Sequence, residues 1–173
     1  MARLVVLILA LAVAASSQVA GPTGDTHSAA QAVATPATLS TTLPDLRRTI
    51  ENARVDLARL RVDKWKANSD TKRQAEADVE SLQRNMTAAL PALMNAAIQK
   101  PASLNAAFKL YRNINVLYDV LNNVAESAGA FGGKDEYTAL ANDLTNLNAT
   151  RRAMADTMEI LTAQRDADLA RVQ

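Results

Sequence analysis

From Leu43 to Leu161 the large apolar residues recur every three or four positions, and no stretch alternates with period two. Spacing of three and four places side chains on one face of an α-helix, whereas a half-buried strand needs alternation. The chain is therefore expected to be all-α. Leu43, Leu46, Ile50, Ala53, Leu57 and Leu60 form a first seam, with Thr42 as N-cap, Pro44 in the first turn and Asp45 at the capping-box offset. Ala75, Val79, Leu82, Met86, Ala89, Leu93 and Ala97 form a second. The polar run Asn68-Ser69-Asp70-Thr71 between them reads as a tight turn, the alternative being one continuous rod.

Lys100-Pro101 ends the second helix and Ser103 can cap a third, whose core positions are Leu104, Ala107, Tyr111, Ile114, Tyr118, Leu121 and Ala125. The glycines between Gly129 and Gly133 stop it. A fourth helix carries Tyr137, Leu140, Leu144, Leu147, Met154, Met158 and Leu161. Expected spans are about 43–67, 70–99, 103–129 and 135–170. Four long helices joined by short turns predict an up-down-up-down antiparallel four-helix bundle of coiled-coil-like rods over residues 43–173. The fourth helix should overshoot its partners, and its mostly polar tail from Gln164 suits an overhang. Residues 43–68 carry seven basic and four acidic side chains and residues 134–173 five and seven, so these neighbours have complementary faces.

The region before residue 43 has a different character. Met1 to Arg3 is a short basic start, Leu4 to Ala15 is unbroken apolar sequence, and small residues follow. That is the tripartite pattern of a secretory signal peptide over residues 1–20, too short for a span of about 20 apolar residues. Export to the periplasm or the extracellular space follows as an expectation, with no stable membrane insertion after cleavage. Residues 21–42 are rich in Ser, Thr, Ala, Pro and Gly, with Val33 and Leu39 as the only large aliphatics, and read as a disordered tether.

Composition closes off several chemistries. There is no cysteine, which removes disulfides, thiolate metal sites and thiol nucleophiles. The single histidine, His27, lies in the tether, so a di-iron Glu-x-x-His site or a histidine-ligated haem has no ligand in the helices. The architecture alone resembles the cytochrome b562 type of exported bundle, and the missing histidine ends that likeness. Removing Arg3 with the leader takes 19 basic residues to 18 against 18 acidic ones, a neutral mature chain without a nucleic-acid footprint. Gly129–Asp135 echoes a phosphate loop but lacks the hydroxyl residue after Lys134 and follows a helix where a strand is needed. Met86, Met154 and Met158 sit on the seams as core packing, with soft Cu(I) ligation the weaker reading.

Three features depart from an idealised bundle. Arg151 falls on the core seam between Leu147 and Met154, near the expected level of Glu51, Thr87 and Asn113, and must be paired or reach the edge. Pro91 interrupts the second helix and should kink it. Leu110, Leu117, Val120 and Val124 widen the apolar arc of the third helix to about 180°. Either that helix is buried more deeply than the others, the favoured reading, or these four residues meet a partner or a second copy. No catalytic group, cofactor or metal site is expected. The sequence thus points to an exported, non-enzymatic helical protein acting by protein contact or self-association. A carrier of a small apolar ligand between the helices is the alternative.

Overall fold

A computed structural model describes residues 39–172, and every regular element within them is helical. The expected leader, His27 and most of the tether lie outside the described residues. Helix α1 (Leu39–Arg59) is followed by a 3₁₀ turn (Val62–Lys64). Then α2 (Ser69–Arg84) runs through a π turn (Asn85–Ala89) directly into α3 (Leu90–Gln99). The last two are α4 (Leu104–Phe131) and α5 (Lys134–Val172). No helix of the described residues is long and apolar enough to cross a membrane.

Helix α1 begins at Leu39, four residues before the expected start. Leu39 and Thr42 are buried, so the core seam already operates there and orders the end of the expected tether. Thr42 is consequently an interior residue and not the N-cap. At its other end α1 stops at Arg59 instead of continuing to 67. The chain leaves the helix there through the 3₁₀ turn, and Val62 and Trp65 are both buried. Lys64 and Lys66 on either side of Trp65 stay exposed. Asn68 then caps α2, its Oδ1 accepting from the Thr71 N–H at 2.8 Å.

Pro91 produces a widened turn. Without an N–H it cannot bond the carbonyl four residues back, and its ring crowds that carbonyl. The strain is taken up as the π turn of Asn85–Ala89, immediately upstream. Ser103 caps α4 by accepting from the Ala106 N–H at 3.2 Å.

One apolar cluster draws on all the helices, with Leu46, Leu82, Leu90, Leu110, Ile114, Leu121, Leu140, Leu147 and Met154 wholly enclosed. Each such side chain contributes roughly 1.5–3 kcal/mol on burial. Helix α4 packs along α5 and against α2 and α3, and α1 packs along α5 and touches α3. The breadth of the apolar arc on α4 follows from this central position. Leu110, Leu117 and Val124 are buried and Val120 is half-buried within the chain's own core. Deep burial, the favoured reading of these residues, describes them within the chain, and the alternative of an exposed interaction face does not.

Candidate functional site

Three places on the molecule carry more than apolar packing. The first is a clasp where the turn after α1 meets the turn between α4 and α5. Glu136 stands three residues after Gly133, the position from which a carboxylate reaches back over a helix start. Its Oε2 accepts from the Gly133 N–H at 2.9 Å and from the Trp65 indole N–H at 3.0 Å. Its Oε1 accepts from the Arg61 N–H at 2.8 Å. Burial alone would push this carboxyl up, but the Gly133, Arg61 and Trp65 hydrogen bonds and the Arg61 charge outweigh it and hold it below its ordinary value. The Lys66 N–H adds a bond to the Phe131 carbonyl at 2.8 Å. Gly132 is required by close approach. A Cβ there would lie 2.8 Å from Trp65 Nε1 and 2.9 Å from both the Ala128 carbonyl oxygen and Glu136 Oε2.

The second place is the seam between α1 and α5. Thr42, Thr49, Asp143, Thr150 and Thr157 are the buried polar residues among those described, and all belong to these two helices. On α5 the residues Asp143, Thr150 and Thr157 step by seven. On α1 Thr42, Thr49 and Asp56 step by seven in the opposite sense, so Asp56 faces Asp143 and Thr49 comes level with Thr150. Thr150 and Thr157 satisfy their hydroxyls locally, donating to the carbonyls of Asn146 at 3.1 Å and Ala153 at 2.8 Å. Asp143 has no such outlet. It is only 3% exposed, and its Oδ2 has no hydrogen-bond partner. Burial first, and the facing Asp56 carboxylate second, raise its pKa to about 7.

An open groove of about 470 Å³ runs over the outside of this seam, walled by Thr42, Thr49, Asn52, Asn146 and Thr150 among others. Asp143 is not part of its wall.

The third place is the stretch of α5 from Thr162 to Val172. Every residue from Thr162 to Val172 is exposed although the helix continues. Leu169 lies eleven residues, close to three full turns, beyond Met158, and Val172 lies eleven beyond Leu161. Both therefore continue the face that Met158 and Leu161 pack against the core. Leu169 is 56% exposed and Val172 87%. At the base of this arm an open groove is lined by Leu104, Phe108, Met158, Thr162 and Arg165, with Phe108 47% exposed. A second, lined by Leu39, Pro101, Ala102, Ile160 and Leu161, flanks it.

Arg151 is half-buried, its guanidinium 4.2 Å from the centroid of the Tyr118 ring on α4. The aromatic face takes the role expected of a polar partner. Glu51 pairs instead with Arg54, and Thr87 is exposed. Met86 and Met154 are buried in the core. No cluster of three or more His, Cys, Asp or Glu residues capable of holding a metal occurs among the described residues. Asp143, Asp56 and Glu136 escaped the reading from apolar spacing. The seven-residue recurrence of polar residues on the first and last helices was the signal that could have found the first two. Compared with protein-family models, curated proteins and solved structures, the chain matches none.

Proposed function

We propose that the chain is an exported, non-enzymatic protein folded as an up-down-up-down antiparallel four-helix bundle. Its work is contact between copies, made through the stretch of α5 from Thr162 to Val172. The antiparallel order is supported by bonds linking Arg61 and Lys66 to Glu136 and Phe131 at one end. At the other end Leu39 lines the same groove as Ala102 and Leu161. The observation that carries the functional reading is the continuation of the α5 core face through Leu169 and Val172, past the last of the described residues that covers it.

The arm continues an already formed helix, so its turns need no new nucleus, and its exposed Leu169 and Val172 are available to a partner. A second copy suits it. Arg165 and Arg171 balance Asp166 and Asp168, so two arms laid against each other are not repelled. The described residues of the arm span about 16 Å, a short contact whose association is concentration-dependent.

Sedimentation velocity over a wide concentration range tests this directly. Wild type should form dimers that Leu169→Asp with Val172→Asp abolishes, while circular dichroism stays unchanged. A monomer at every concentration, or dimers indifferent to both substitutions, overturns the reading. Native mass spectrometry of the same sample reports the leader by mass and any retained small molecule. A bound apolar ligand on a monomeric chain would favour the carrier instead.

A further inference from the structure

We propose that the Asp56–Asp143 pair makes the α1–α5 seam a proton-operated fastening, closed while Asp143 holds a proton and loosened when it loses it. The geometry supplies the device. Asp143 is 3% exposed and its Oδ2 has no hydrogen-bond partner, so that oxygen has no donor to receive a negative charge. The group facing it from α1 is a second carboxylate, Asp56, whose own cation, Arg59, lies at 3.6 Å on the exposed side. From α4, the other helix packed along α5, the acidic side chains Asp119 and Glu126 are exposed, and Glu126 is engaged by the Asn122 amide at 2.7 Å. No cation reaches Asp143 from either neighbour. Elsewhere on α1 and α5 the buried polar side chains are threonines, set beside buried Leu46, Leu57, Leu140 and Leu147. Among the described residues Asp143 is the buried polar group whose charge changes near neutrality.

The direction of the effect follows from the raised pKa. Closed, Asp143 titrates at about 7, and opened to water it returns to an ordinary carboxylate value near 4. Stability of the closed seam is therefore fully present below about pH 4 and is lost as pH rises to about 7, beyond which no further loss follows. Between those limits the opening constant of α1 rises roughly tenfold per pH unit.

Hydrogen exchange of the α1 amides, corrected for intrinsic rates, reads this between pH 5 and pH 8. Over that window Glu136, with its lowered pKa, stays ionised. Wild type should lose about 50-fold in α1 protection from pH 5 to pH 7 and approach a plateau of about 80-fold by pH 8. Asp143→Asn, which keeps the shape and removes the titration, should show a flat profile. Asp56→Asn should shrink the fall without abolishing it. Comparison with Asp143→Asn also cancels any contribution from His27. A carbon-13 titration of the Asp143 carboxyl supplies a reading that needs no variant. A midpoint near 4, or identical α1 profiles in wild type and Asp143→Asn, overturns the proposal.

Discussion

Replacing Glu136 by alanine removes one carboxylate that holds three donors from two turns. A hydrogen bond to a charged group contributes about 1.5–3 kcal/mol, and an unsatisfied donor left behind costs most where water cannot reach it. The donors differ in that respect. The Arg61 and Gly133 N–H groups are at exposed positions and can bond water, whereas Trp65 is only 3% exposed and its indole N–H loses its acceptor. Counting the indole in full and the other two at a fraction gives a loss of about 2–3 kcal/mol. For a helical unit of this size that lowers Tm by about 10 °C. Trp65 is the only tryptophan, so its fluorescence reports this clasp directly during urea unfolding, with far-UV circular dichroism as the global reference. Glu136→Ala should shift the emission of the native protein to the red and lower the urea midpoint by both probes. Glu136→Gln, which keeps an acceptor and drops the charge, should fall between. Because the Glu136 pKa is lowered in the folded chain, its contribution is present above the ordinary carboxylate pKa and is lost as pH falls through the folded value. Acid titration of wild type should show that loss and Glu136→Ala should not. A penalty under about 0.5 kcal/mol with unchanged emission would refute the clasp, since even one charged hydrogen bond exceeds that.

Gly132→Ala should destabilise by roughly 1–3 kcal/mol, because its Cβ would press on Trp65, the Ala128 carbonyl and Glu136 at once. Thermal unfolding checks it, and no change would mean that this turn has slack. A double-mutant cycle on Arg151→Ala and Tyr118→Leu should give a coupling of about 0.5–1 kcal/mol in urea unfolding, the value of a partly exposed cation–π pair. Zero coupling would leave Arg151 merely stretched along the helix surface.

Helical character and most of the core were legible in the spacing of apolar residues, because a period of three and four has only one regular solution. Leu46, Ile50, Leu82, Met86, Ile114, Leu121, Leu147 and Met154 were all assigned inward from that spacing, and all are buried. Element ends were less legible. The early start of α1 depends on Leu39 finding a place in the core, and its early stop on Trp65 finding one, and neither is a local property. The four residues Leu110, Leu117, Val120 and Val124 show a second limit. A wide apolar arc reports how many neighbours a helix has, and the sequence does not say whether they belong to the same chain. Glu136 and Asp143 show a third. Both are acids on one helix, yet one meets three donors and the other meets an acid, and that difference arises only when α1 is laid against α5. The polar seam was written in the seven-residue steps of Thr42, Thr49 and Asp56 and of Asp143, Thr150 and Thr157, a pattern that apolar spacing does not sample.

The claim that α5 carries its core face beyond its own chain to meet a second copy is tested most directly by a distance between copies. The absence of cysteine allows a single spin label at Arg171→Cys without any other change. Two arms packed side by side have axes about 10 Å apart, so pulsed dipolar spectroscopy should give one narrow intermolecular distance of a few nanometres at most. That signal should vanish when Leu169→Asp is added. A featureless background at every concentration, with the label on a folded chain, would contradict the account.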